Sequence, residues 1–174
     1  MAFSGGIAER AASAEDFFDL CKTGTAQQIQ EAIDAGADVK ARNKNGNTVL
    51  MHAAGWNSDP EVISVLLKAG ADVKARNNSR ETALMYASMR NDNPDVVAAL
   101  LKAGSDVTAF SKNSMTPLLF AARWNKNPAI IPLLVEAGAE INKEKTSGGW
   151  TALMVAREYN RKVVPALLKA GAKQ

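Results

Sequence analysis

The feature that most restricts what this chain can fold into is a phrase written five times. "AGAD" begins at Ala35 and Ala69, "AGSD" at Ala103, "AGAE" at Ala137 and "AGAK" at Ala170. Their glycines, Gly36, Gly70, Gly104, Gly138 and Gly171, stand 34, 34, 34 and 33 residues apart. Two more columns keep this period. Thr48, Thr82, Thr116 and Thr151 are each followed two residues later by leucine, and Asn57, Asn91, Asn125 and Asn160 close the stretch each threonine opens. A period of this length marks an array of supersecondary units, each too small to bury its own apolar face and stable only when stacked on its neighbours.

Each unit contains two helices. Threonine is a good N-cap, and Thr116 followed by Pro117 has the cap-then-proline form of a helix start. The first helix of a unit is rich in alanine (Ala53, Ala54, Ala87, Ala121, Ala122, Ala156), which permits close approach of neighbouring helices. It should end at the asparagine, the residue second to glycine at the left-handed position that closes a helix. Two residues on, Asp59, Asn93 or Asn127 can cap a second helix whose first position is Pro60, Pro94 or Pro128. The phrase N-x-[DN]-P thus joins a stop to a start. Val62, Ile63, Val65, Leu66 and Leu67 then follow a helical period up to Gly70. Pro132 and Pro165 fall inside the second helix of their units and should each remove one helical hydrogen bond. Between units the apolar period lapses, which predicts a hairpin-like excursion with Asn45-Gly46 at one tip.

Composition narrows the function classes. The 174 residues carry 21 basic and 18 acidic side chains, and a net charge of +3 does not by itself call for a nucleic-acid partner. With one cysteine, Cys21, and one histidine, His52, neither an internal disulfide nor a site built from several cysteines or histidines can form. No apolar run is long enough to span a membrane, and the first residues lack a secretory signal. A cytoplasmic location is therefore favoured, or an exported one if a leader was removed. Residues 1–12 read as a flexible tail and 13–174 as the repeat domain, with approximate units 13–43, 44–77, 78–111, 112–145 and 146–174.

The array resembles the ankyrin repeat family. That family's T-P-L-H-x-A appears here as "TVLMHA" from Thr48, "TALMYA" from Thr82, "TPLLFA" from Thr116 and "TALMVA" from Thr151. Its LL-x-x-G-A-D appears as "LLKAGAD" from Leu66, and the likeness runs from Glu15 to Gln174. The resemblance implies an all-α solenoid of five stacked helix–turn–helix units with β-hairpin-like loops. It also implies a partner-binding groove formed by hairpin tips and first helices. The chain departs from the family where Met51, Met85, Leu119 and Met154 replace the motif histidine, whose usual hydrogen bond should be lost. His52 falls one place later, in a column with Tyr86, Phe120 and Val155 that should point inward. In the first unit Gln28 and Glu31 stand where Val62 and Val65 stand in the next, as an uncovered end requires. The last unit keeps Val163, Leu167 and Leu168 without comparable polarity, which leaves self-association through it open.

Carried over column by column, the groove has three rows of candidate residues. Trp56, Arg90, Trp124 and Tyr159 precede the closing asparagines; Asn47, Glu81, Met115 and Trp150 precede the threonines; Arg42, Arg76, Phe110 and Glu144 begin the hairpins. With units roughly 10 Å apart, Arg90 could lie between Trp56 and Trp124 as a cation–π ladder worth on the order of 0.5–1 kcal/mol per contact. Such a ladder can stiffen the solenoid, bind a partner, or do both. Lys40, Arg42, Lys44, Lys74, Arg76 and Arg80 make the early hairpins basic, whereas Phe110, Met115 and Trp150 make the later ones apolar. A partner with one acidic end and one apolar end fits that gradient. The expected function is therefore non-catalytic protein binding, with no cofactor; polyanion or nucleic-acid binding through the basic hairpins is the disfavoured alternative. Neither Cys21 nor His52 has the neighbours of a catalytic group, and no glycine loop carries a phosphate-binding lysine.

Overall fold

The computed structural model describes residues 14–143 and 148–173. Residues 1–12, Glu144 and the expected boundary between the fourth and fifth units lie outside the described residues. Within them the chain forms five helix pairs: α1 (Ala14–Thr23) with α2 (Ala26–Asp34), α3 (Val49–Trp56) with α4 (Pro60–Lys68), α5 (Ala83–Arg90) with α6 (Pro94–Lys102), α7 (Pro117–Trp124) with α8 (Ile130–Glu136), and α9 (Ala152–Tyr159) with α10 (Val164–Lys169). A 3-10 turn, Arg161–Val163, precedes α10. The odd-numbered helices pack side by side in one layer and the even-numbered helices in a second. The chain is an all-α repeat solenoid.

Each odd-numbered helix from α3 onward begins as its threonine dictates. The Oγ1 of Thr48, Thr82, Thr116 and Thr151 accepts from the backbone N–H three residues on, at 3.3–3.4 Å. The fully buried Ala53, Ala87, Ala121 and Ala156 hold these helices close together, with Leu50, Leu84, Leu118 and Leu153 filling the space towards the second layer. Burying one such leucine is worth about 1.5–3 kcal/mol. At the motif-histidine position Met51 partly restores the missing contact, since the backbone N–H of Thr48 donates to its Sδ at 3.4 Å.

The asparagines do not close the helices by a left-handed turn, as the sequence suggested. Asn57, Asn91 and Asn125 are extended, with φ of −88°, −86° and −71°, and their buried side chains reach across to the preceding unit. Asn57 Nδ2 donates to the carbonyls of Cys21 (3.2 Å) and Gly24 (2.8 Å) at the end of α1. Asn91 Nδ2 donates to Ala54 O (3.0 Å) and Asn57 O (2.7 Å), and Asn125 Nδ2 to Ser88 O and Asn91 O, both at 3.0 Å. Asn160 Nδ2 continues the series to Asn125 O at 2.7 Å. The carbonyls in the last turn of a helix lack intrahelical partners, and each asparagine supplies donors to those of the unit before it. Its Oδ1 accepts from the N–H two residues later, on Asp59, Asn93 or Asn127.

The second helices start as expected in two units, with Asp59 and Asn93 capping and Pro60 and Pro94 at the first position. The fourth unit differs. There α8 begins only at Ile130, so Pro128 precedes the helix, while Asn127 Oδ1 accepts from Ala129 N at 2.9 Å. The delay has a cause in Pro132, which then falls in the first turn, where an amide N–H would lack a partner in any case. Pro165 is accommodated likewise, near the start of the short α10.

Between units the chain makes a tight turn with one isolated antiparallel bridge, Arg42 to Thr48. Gly46 at the tip has φ +75°, and a Cβ there would lie 2.6 Å from Asn78 Oδ1. At the equivalent tips Arg80 (φ +61°) and Ser114 (φ +57°) hold the same left-handed conformation with full side chains. The Lys-Ala-Gly helix ends are left-handed as expected, as at Gly70, φ +96°.

The ends of the stack differ in kind. Met51, Met85 and Leu119 are buried beneath a following unit, whereas Met154 is 51% exposed and Leu168 39%. Polarity in the last unit comes from its first helix instead of its second: Arg157 occupies the column of Ala54, Ser88 and Ala122, each buried by the next unit.

Two stability outcomes follow from this architecture. Asn91→Ala strands the carbonyls of Ala54 and Asn57 and should destabilise by about 1–3 kcal/mol, read as a lower urea midpoint; Asn160→Ala, which breaks a single half-buried link, should cost less. At the hairpin tips Gly46→Ala should destabilise by roughly 1–2 kcal/mol, while Ser114→Gly should raise the melting temperature by removing left-handed strain.

Candidate functional site

Helices α3, α5, α7 and α9 end on Trp56, Arg90, Trp124 and Tyr159 respectively. In each case the next residue is the ladder asparagine. With that asparagine held inward, the side chain before it faces solvent: Trp56 is 43% exposed, Trp124 44% and Tyr159 52%. The same polar ladder that joins the units therefore aligns a row of large side chains on one surface.

The row is not the simple alternation expected. Arg90 lies over one tryptophan, its Cζ 4.9 Å from the Trp56 ring centroid. Trp124 is served by Arg123, which stands 4.8 Å from that ring and 4.0 Å from the ring of Tyr159. Arg90 reaches back towards the preceding unit, whereas Arg123 lies across its own tryptophan and the tyrosine of the following unit. Between Trp56 and Trp124 is an open cleft of about 650 Å³, lined also by Met89, Arg90, Asp92 and Lys126.

A second row supports the first. His52, Tyr86 and Phe120 lie four residues before Trp56, Arg90 and Trp124, on the same helical face. Their rings meet the outer row: His52 to Trp56 at 5.5 Å, Trp56 to Tyr86 at 5.9 Å and Phe120 to Trp124 at 5.4 Å. Phe18 adds an edge contact to His52 at 4.8 Å. The column expected to point inward is buried at Tyr86, Phe120 and Val155 and half-buried at His52, and it also forms the floor beneath the exposed aromatics. Its aromatic content at i, i+4 to the tryptophans was the signal in the sequence. Tyr86 is fixed by donating to Asn47 Oδ1 (3.2 Å) and accepting from Asn77 Nδ2 (3.4 Å); burial, helped by the nearby Glu81 charge, raises its pKa.

The hairpin candidates separate into two groups. Arg42 Nη1 donates to Gly46 O and to Arg76 O, both at 2.9 Å, and Arg76 Nη1 donates to Phe110 O at 3.4 Å with Asp106 3.9 Å away. These arginines tie each hairpin to the next. Met115 is buried, 8% exposed, and Glu81 Oε2 accepts from Asn77 Nδ2. Phe110 stays exposed beneath Arg80, whose Cζ is 4.9 Å from its ring centroid, and Trp150 lies 6.2 Å from Tyr159. The expected gradient from basic to apolar hairpins is thus weakened, because two of its arginines are engaged by backbone and one of its apolar members is core.

Cys21 is fully buried and His52 half-buried. Burial pushes the Cys21 thiol up to about 12. His52 borders a smaller cleft of about 490 Å³ with Phe18, Asp19, Lys22 and Lys44; its Nε2 accepts from Asn43 Nδ2 at 3.3 Å, while its Nδ1 is buried without a partner. Burial foremost, and then the charge of Lys22, holds the His52 pKa below 6.5 against the opposing pull of Asp19. Asp19 is itself lowered by the hydrogen bond from Lys22 Nζ at 2.7 Å. Among the described residues no three His, Cys, Asp or Glu side chains gather as a metal site, and no helix is long and apolar enough to cross a membrane.

A histidine with a depressed pKa binds its proton more readily in the unfolded chain, so it lowers stability as pH falls below about 6.5. The loss is complete once pH is below the folded value. His52→Gln should flatten the stability curve between neutral pH and that point, measured by urea titrations at stepped pH.

No curated protein matches the chain. A family model described as Ankyrin repeats (3 copies) matches residues 17–111 and 109–174. With the helix pairs repeated in register across the described residues and the threonine caps from α3 onward, the chain belongs to the ankyrin repeat family.

Proposed function

We propose that this chain is a non-catalytic binding module that docks another protein across the row formed by Trp56, Arg90, Trp124 and Tyr159, with Trp150 and Phe110 at its border. Ankyrin repeats are generally protein–protein interaction modules, and the finer reading rests on one observation. Three large aromatic side chains, at the ends of three of the four helices α3, α5, α7 and α9, are exposed by between 43% and 52%, over a scaffold whose backbone is fixed by buried asparagines. Tryptophan, tyrosine and arginine dominate the energetics of protein interfaces. Because the rings are already held by their neighbours, little side-chain freedom is lost on docking.

The alternative, a polyanion held by the early basic hairpins, has less support, since Arg42 and Arg76 spend their donors on backbone carbonyls. Self-association through the last unit is favoured by the exposed Met154 and Leu168 and opposed by Arg157, which stands where a packed interface of the internal kind has a small residue.

Trp56→Ala combined with Trp124→Ala should remove proteins co-purified from the native source, identified by mass spectrometry, while helical ellipticity stays near that of the parent. A large loss of ellipticity instead would assign the tryptophans to stability. Capture that collapses at about 0.5 M salt would favour the polyanion reading.

A further inference from the structure

The arginines that lie over aromatic rings have an unusual set of partners. Arg80, Arg90 and Arg123 each lie within 4.9 Å of an aromatic ring, and among the described residues none has a carboxylate within ion-pair distance. Arg42 and Arg76 show the contrast, with guanidinium N–H groups donated to backbone. A guanidinium over a ring face is restrained by it, yet keeps its N–H groups available as a fork for a carboxylate. Lys126 adds a further cation to the cleft, against one carboxylate, Asp92.

We infer that the cleft between Trp56 and Trp124 accepts an extended acidic peptide segment of a partner protein, one in which carboxylates alternate with apolar or aromatic side chains. This deepens, and rests on, the protein-docking reading above. Carboxylates of the segment meet the N–H edges of Arg90, which lines the cleft, and, where the segment runs on past Trp124, of Arg123 between Trp124 and Tyr159, while the intervening side chains lie against the indole faces. The positive charge and the apolar surface are interleaved within one strip and not divided between two ends, so the segment must be mixed throughout its length. A nucleic-acid strand could also stack on tryptophan and contact arginine, but Asp92 inside the cleft puts negative charge on its path. A peptide can answer that carboxylate with its own amides or a basic side chain; a phosphate backbone cannot.

The test is selection of a random-peptide phage library on the immobilised full chain, followed by titration of the recovered synthetic peptides against tryptophan fluorescence. The recovered sequences should be rich in Asp and Glu spaced by apolar or aromatic residues. Arg90→Gln and Arg123→Gln should each weaken their binding about tenfold, whereas Arg42→Gln should change it by less than about twofold. Thermal melts of each variant separate lost binding from lost folding. Recovered peptides with no acidic excess, or affinities indifferent to Arg90 and Arg123, overturn the inference. If Trp56→Ala and Trp124→Ala still abolish binding in that case, the docking surface stands and only its preferred ligand chemistry falls. Displacement of the peptides by single-stranded oligonucleotide with a steep salt dependence would assign the cleft to nucleic acid and overturn both.

Discussion

Each side-chain amide of the asparagine series does two jobs at once. It gives donors to carbonyls that a helix end would otherwise leave unpaired, and in doing so it welds one unit to the next. Asn91 is the clearest case, joining Ala54, Asn57 and Asn93 through a single buried side chain. An apolar interface between helices permits sliding and rotation at little cost; a buried amide with fixed acceptors does not. Register between units, and hence the position of every exposed ring, is inherited from these bonds.

The exposed row follows from the register. The residue before each asparagine has no choice of direction once the asparagine is buried, so four successive helices present Trp56, Arg90, Trp124 and Tyr159 to solvent. The aromatic floor of His52, Tyr86 and Phe120 then limits the rotamers available to that row. The hairpins are coupled by a separate set of bonds, from Arg42 and Arg76 to the next hairpin and from Lys112 N to Ser79 O at 2.9 Å. Both edges of the exposed surface are therefore braced by contacts between neighbouring units.

Most of the architecture was legible because it depends on residue types that act locally. Threonine caps, alanine faces and left-handed glycines announce themselves in any one copy and are multiplied by the period. What escaped was longer in range. Asn57 reads as a helix terminator when only its own unit is considered; its extended backbone and its reach to Cys21 and Gly24 exist only in the stacked array. Arg42 and Arg76 look like free surface charge for the same reason, since the acceptors that tie them to the next hairpin, Arg76 O and Phe110 O, lie one unit away. Arg123 was passed over because it belongs to no column of arginines, and Met115 was taken as surface although its neighbours close over it.

The welds are not of equal strength along the chain. Asn57, Asn91 and Asn125 each make two links to the unit before them, whereas Asn160 is only half-buried and makes a single one, to Asn125 O. In a linear array the least tethered terminal segment opens first and at the lowest free energy. Breathing of the molecule is thereby directed to the Trp150 and Tyr159 extremity, leaving the Trp56–Trp124 interval as the stiff span and the last helix pair as the part that yields first.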